Sequence, residues 1–490
     1  MKKFLSLVLA VVAIFCLFAC GNNGWKSQVT DYSGEVSSNG GFAVVKGDYV
    51  YFINGIEANT ADNKFGTPVK GALVRVKTAD LGTANAAAQV VVPKLFYSEV
   101  TSGKGFYILG DYVYYTSPST DKNKAGETLS SKLQYVRTKL DGTDTKVILQ
   151  LDNLTTPYRY VKSGDNVYLV VYTTVDGENV LVSYNAATGD KVATSQGVTS
   201  YIFSDDLAKD YCYYVEVAHN ETLDKDESFH NVRTFNFATG ADEIVLSGNK
   251  GTQGVTFSLI KDTGAELYYS ETFVDTSVNT VVNYYGVKEN KFNEAVVLNH
   301  GTKDAATIFA ANSYYHGFDS IIYHDTTYGF VKYNYTLEQD SASFGHEYLV
   351  SDRAVIEELA KLTVKFYENG YVYLTDSSNF YYRVNLEKLA AGEVTVEQIT
   401  YIALTETWYR PEIIGEYVLA SIEANPFGSY VYAIRMGLAE DQTEDDKLDS
   451  YDFAVKANVE AFKALLIGVE TQADKDVYNT YLTDTFKDEE

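Results

Sequence analysis

The sequence predicts an all-β protein, a β-propeller of eight four-stranded blades, alternatively seven, followed by a C-terminal helical tail. Three observations predict it. Gly47-Asp48-Tyr49-Val50-Tyr51-Phe52 returns as Gly110-Asp111-Tyr112-Val113-Tyr114-Tyr115 and as Gly164-Asp165-Asn166-Val167-Tyr168-Leu169. Weaker copies begin at Lys209, Gly264, Phe318, Asn369 and Gly415, so eight copies recur at roughly 50-residue intervals, the period of one blade. Both alternate faces of the aromatic run are apolar, as in Tyr49 to Ile53, which suits a sheet packed on two sides. The chain also carries 42 Tyr and 25 Phe, enough aromatic surface to fill the layers between such sheets.

The N-terminus reads as an address. Met1-Lys2-Lys3 precedes an uncharged run from Phe4 to Ala19, and residues 1–19 have the order of a secretory signal peptide. The run is shorter than the roughly 18 to 20 apolar residues that span a bilayer. Residues 20–41 then form the lipid anchor and a polar, flexible tether. Cleavage before Cys20 leaves Cys212 as the one cysteine that neither signal nor lipid takes. Within Tyr211-Cys212-Tyr213-Tyr214 it reads as a small core side chain.

Residues 42–437 hold the repeats. In each copy an apolar run precedes the Gly-Asp pair, as in Phe42 to Val45 or Phe106 to Leu109, and the aromatic run follows it. Gly tolerates positive φ and Asp bonds back to its own backbone, so the pair reads as a hairpin turn. A third run follows a variable insertion, as in Leu73 to Val76, Leu133 to Val136, Val180 to Ser183 and Tyr381 to Val384. A short fourth run closes the unit, as in Val90 to Val92 or Glu243 to Leu246. The last copy breaks into acidic residues after Met436, and Gln28 to Tyr32 is the expected strand that closes the ring. Strand spacing leaves a sandwich array or an open solenoid as the rival architecture.

Leu17-Phe18-Ala19-Cys20 resembles a bacterial lipobox, which implies a diacylglycerol on Cys20. The Gly-Asp-x-Val-Tyr-aromatic phrase, with its basic or aromatic third strand and Asp-Gly or Thr-Gly turn, resembles bacterial lipoprotein β-propellers of an uncharacterised repeat family. The turns Asn185-Ala-Ala-Thr-Gly189 and Asn236-Phe-Ala-Thr-Gly240 are similar to those of pyrroloquinoline-quinone-type propeller repeats. That family closes the turn with a downstream Trp, whereas this chain has Trp only at 25 and 408, so no quinone is implied.

Residues 438–490 change character. Tyr451, Val455, Val459, Phe462, Leu466 and Val469 recur at helical spacing, and a second helix is expected over 473–486. Residues 439–490 carry fifteen acidic and five basic side chains. This acidic linker and helix, or helical hairpin, either docks on the propeller or binds a partner.

Forty Lys and Arg against 66 Asp and Glu give a formal charge of −26, which argues against nucleic acid as a partner. The six histidines, at 219, 230, 300, 316, 324 and 346, make no zinc-type pair. Nucleophile-elbow, P-loop and Gly-x-Gly-x-x-Gly patterns are missing, and Asp121 to Gly126 lacks the bidentate carboxylate of a calcium loop, with Lys132 in its place. No catalytic residue, cofactor or metal is therefore expected. Aromatic and basic loop residues are the binding candidates: Trp408, Tyr409 and Arg410, and Tyr314, Tyr315 and His316. The expected function is a monomeric, membrane-anchored surface lipoprotein whose extracytoplasmic propeller binds protein or glycan. The alternative is a glycan hydrolase or lyase using carboxylates in the propeller funnel.

Overall fold

The computed structural model describes residues 27–449 except 28, 38, 54–72, 84–88, 93–95, 97–104, 120–123, 126–131, 152–155, 220–227, 252–253, 289, 302–304, 339–340, 405–409, 424–428, 437–442 and 444–447. The predicted signal, Cys20, Trp408, Tyr409 and the helical tail thus lie outside the described residues.

The described strands form seven four-stranded antiparallel sheets and one five-stranded sheet, each ordered along the chain. Every copy of the repeated phrase marks the link between the first two long strands of one sheet. In the first blade Ala43–Lys46 pairs with Tyr49–Ile53 across Gly47-Asp48, and Gly47 adopts φ 57°, the left-handed conformation the turn needs. The second, Tyr107–Leu109 with Tyr112–Pro118, repeats the arrangement across Gly110-Asp111. The third and fourth runs become Leu73–Lys77 and Gln89–Val92, or Leu133–Lys139 and Lys146–Leu151. The Asn-x-Ala-Thr-Gly turns work through their first residue, since Asn185 Oδ1 accepts from the backbone N–H of Ala187 at 2.8 Å and of Thr188 at 3.1 Å.

The sheets close into a ring. Seven apolar clusters each join neighbouring blades, and one of them packs Ile414 and Leu419 of the eighth blade with Val44 and Tyr51 of the first and Ile108 and Tyr115 of the second. An open solenoid would leave that face exposed. Tyrosine fills the layers: Tyr51, Tyr160, Tyr214, Tyr268 and Tyr333 are wholly buried. Ring pairs cross from blade to blade, with centroids 4.9 Å apart for Tyr114–Tyr160 and 4.4 Å for Tyr268–Tyr315. Each such burial stabilises by about 2–3 kcal/mol, with about 0.5–1.5 kcal/mol more from ring–ring geometry.

A second regularity lies on the third strand. In four blades a tyrosine of the aromatic strand faces an arginine across the ladder, the second aromatic of the phrase in Tyr51–Arg75, Tyr114–Arg137 and Tyr373–Arg383 and the third in Tyr214–Arg233. In three of them a carboxylate takes the guanidinium, Asp144 at 2.9 Å, Asp242 at 2.7 Å and Glu397 at 2.8 Å. The first blade differs. Arg75 bonds the Gln89 amide oxygen at 2.8 Å and the Asp31 carbonyl at 2.5 Å.

That difference explains two departures from expectation. The described residues of 29–41, expected as tether, pack on the first blade, because Val29 enters its core and the buried Arg75 needs the Asp31 carbonyl. Val36–Ser37 adds a fifth strand beside Ala43–Lys46. Among the described residues, Val29 to Tyr32 form no strand, so the closure expected through Gln28 to Tyr32 is not seen there. Ser429–Arg435 pairs on its outer side with Leu448–Asp449, so the last blade takes its fourth strand from its own downstream chain. Sheet pairing therefore reaches beyond 42–437 at both ends.

Candidate functional site

The first strands and the segments beside them converge from all eight blades on a central channel of about 740 Å³. Such a volume falls in the roughly 300–1,000 Å³ range of small-molecule sites. Its wall carries four cations, Arg159, Lys261, Lys365 and Arg410, and two carboxylates, Asp205 and Glu412. A chain with a net charge of −26 thus builds a channel whose described side chains sum to a positive charge.

The charges are not equivalent. Lys261 is held 2.7 Å from Asp205, and Arg410 lies 2.8 Å from Glu368 and 3.8 Å from Glu412 while stacking over Phe366. Arg159 has no carboxylate at ion-pair distance among the described residues; its guanidinium donates to the Ser204 carbonyl and lies over Phe203. Burial lowers its pKa from the ordinary arginine value, although so basic a group stays charged. Lys365 is exposed to the channel and has no ion-pair partner among the described residues.

A buried pair braces this wall. Lys209 Nζ donates to both oxygens of Asp262, at 3.0 and 2.8 Å, and the Gly264 N–H donates to the same carboxylate. Lys209 stands where most copies of the phrase have Gly, so the weak fourth copy trades a turn residue for a tie between the fourth and fifth blades. Lys261 and Asp205, one residue from Asp262 and four from Lys209, are positioned by it.

Of the sequence candidates, Tyr314, Tyr315 and Arg410 lie on the channel wall. Their rings are largely committed to packing. Tyr314 stacks on His316 at 5.8 Å and leans on Tyr367 at 5.0 Å, while Tyr315 packs on Tyr268 and donates its hydroxyl to the Ala310 carbonyl. Burial pushes the Tyr315 and Tyr367 phenols above their ordinary pKa, so both remain neutral. His316 is exposed beside a smaller cavity of about 260 Å³ between the sixth and seventh blades, with Lys332 and Glu347. Sequence reasoning missed Arg159, Lys261 and Lys365. Each interrupts the apolar first run of its repeat, as in Tyr158-Arg159-Tyr160-Val161 and Val364-Lys365-Phe366-Tyr367, and that interruption was the available signal.

Among the described residues no three His, Cys, Asp or Glu side chains gather at metal-binding distances, and no helix is long and apolar enough to cross a membrane. Cys212 is fully buried, and its surroundings raise its thiol pKa, chiefly by desolvation.

No family model matches the chain, and no curated protein does. Among solved structures it is similar to a puromycin-hydrolyzing peptidase of Mycobacterium tuberculosis, at 11% identity and TM-score 0.34 over 86% of this chain and 63% of that one. It is also similar to the β-propeller domain of the Trilobed protease from Pyrococcus furiosus, at 11% identity and TM-score 0.35 over 86% and 99%. A third is the oligogalacturonate lyase of Vibrio parahaemolyticus, at 10% identity and TM-score 0.35 over 80% and 96%. The chain spans less than two thirds of the mycobacterial peptidase's length.

Proposed function

We propose that this protein is an exported bacterial lipoprotein, related to the repeat propellers its sequence resembles, whose ring is a non-enzymatic binding module for glycan or protein. A diacylglycerol on Cys20 holds it to the membrane, with the propeller on the extracytoplasmic side. The basic start, short apolar run and Leu17-Phe18-Ala19-Cys20 support the anchor. The binding role rests on one observation above others, a channel of about 740 Å³ whose polar and charged lining comes from every blade. Rings of this kind hold loops and strand ends rigidly, which suits recognition.

Glycan and peptide arrays probed with wild type and with Asn312→Trp test the binding role, because Asn312 is exposed on the wall and a tryptophan there plugs the channel. Binding lost in a folded Asn312→Trp protein is the expected result; binding that persists moves the site elsewhere. For the anchor, Cys20→Ala is expected to abolish incorporation of labelled palmitate. The second reading, a glycan hydrolase or lyase, is favoured by Asp205 and Glu412 sharing the channel. Release of new sugar ends from any bound glycan would establish it.

A further inference from the structure

We infer that the channel selects an acidic glycan, gripped by Arg159 and Lys365 from opposite sides of the ring. The inference rests on the binding role proposed above and names the ligand class. In a ring of eight sheets the third and seventh face one another across the axis, and these two cations belong to those sheets. The other channel charges already have partners, Lys261 with Asp205 and Arg410 with Glu368 and Glu412. Arg159 and Lys365 therefore hold the charge that a ligand can neutralise.

The half-buried position of Arg159 makes that charge count. A cation partly withdrawn from water gains more from a counter-ion than one fully at the surface, and a guanidinium matches the planar fork of a carboxylate. Lys365 is the mobile opposite, a point charge that adjusts to ligand length. Acidic sugar fits the rest of the wall better than acidic peptide. Asn39, Asn312 and tyrosine edges offer hydrogen bonds to hydroxyl groups, whereas Leu207 and Ala311 are the wall's only aliphatic side chains among the described residues.

The test is titration calorimetry on the full mature protein in detergent, with a short oligo-uronate, a neutral gluco-oligosaccharide of equal length and a glutamate peptide of equal charge. The oligo-uronate is expected to bind, and its affinity to fall as salt rises from about 20 mM to about 200 mM, since screening shortens the reach of these charges. Lys365→Glu, at an exposed position, is expected to weaken it at least about tenfold, and Arg159→Gln likewise, the usual size for a lost charge-assisted hydrogen bond. Equal binding of the neutral sugar would overturn the charge selection and leave the binding role standing. Binding of the peptide but not the uronate would overturn the glycan assignment. Binding of none of the three, with array ligands held only outside the channel, would overturn both.

Discussion

Removing Lys209 while leaving Asp262 is the most revealing stability experiment. Asp262 is 0% exposed and Lys209 8%, so water cannot replace the ammonium. Lys209→Met keeps an unbranched apolar stem over Tyr211 and Tyr213, whose rings lie 4.6 and 4.7 Å from Nζ, and deletes the ammonium. The carboxylate keeps the Gly264 N–H and loses both ammonium bonds. An uncompensated buried charge of this kind costs about 3–5 kcal/mol. Adding Asp262→Asn removes the stranded charge while the amide oxygen still accepts from Gly264, so the double variant is expected to recover to within about 1–2 kcal/mol of wild type. Urea unfolding of the two single variants, the double variant and wild type gives the cycle. A loss below about 1 kcal/mol for Lys209→Met, the value of an exposed pair, would refute the reasoning. So would a double variant no more stable than Lys209→Met.

Three further perturbations read other parts of the fold. Arg75→Leu leaves the Tyr51 hydroxyl and the Asp31 carbonyl without their buried donor, so a loss of about 2–3 kcal/mol and early proteolysis within residues 29–37 are expected; unchanged cleavage would mean the segment is held by Val29 and strand pairing alone. Cys212 is expected to resist thiol reagents at neutral pH until the protein unfolds, and stoichiometric labelling of folded protein would contradict its burial. His324 donates Nε2–H to the Leu359 carbonyl, and its pKa lies below the ordinary 6.5 because burial disfavours the imidazolium. The unfolded chain then binds the extra proton first, so stability is fully present above about pH 6.5 and falls as the pH drops through the folded value. His324→Asn should flatten melting temperature against pH in that window, and an unaltered slope would assign the acid sensitivity to other groups.

How much of this was legible in the sequence follows from what a repeat encodes. The Gly-Asp-x-Val-Tyr phrase located the link between the first two long strands of every blade, and in all but the fourth a left-handed residue turns the chain there, a local requirement. The number of copies gave eight sheets for the same reason. Closure was not local. Nothing in Gln28 to Tyr32 reveals that Arg75, 44 residues away in the chain, takes its Asp31 carbonyl, nor that Leu448–Asp449 reaches Tyr432 and Ala433. The channel was hidden likewise. Tyr314 and Arg410 were found by residue type, yet Arg159 and Lys365 become a pair only when four blades of curvature set them across one axis. The replacement of Gly by Lys209 looked like a decayed repeat, and its meaning lay on the neighbouring blade in Asp262.

The measurement that bears most directly on the central claim is hydrogen–deuterium exchange of the full chain with and without a short oligo-uronate. The account predicts added protection at residues 39–41, 158–160, 261–263 and 365–367, segments from well-separated blades that meet only at the channel. Protection confined to the outer strands, or to a single blade, would contradict it.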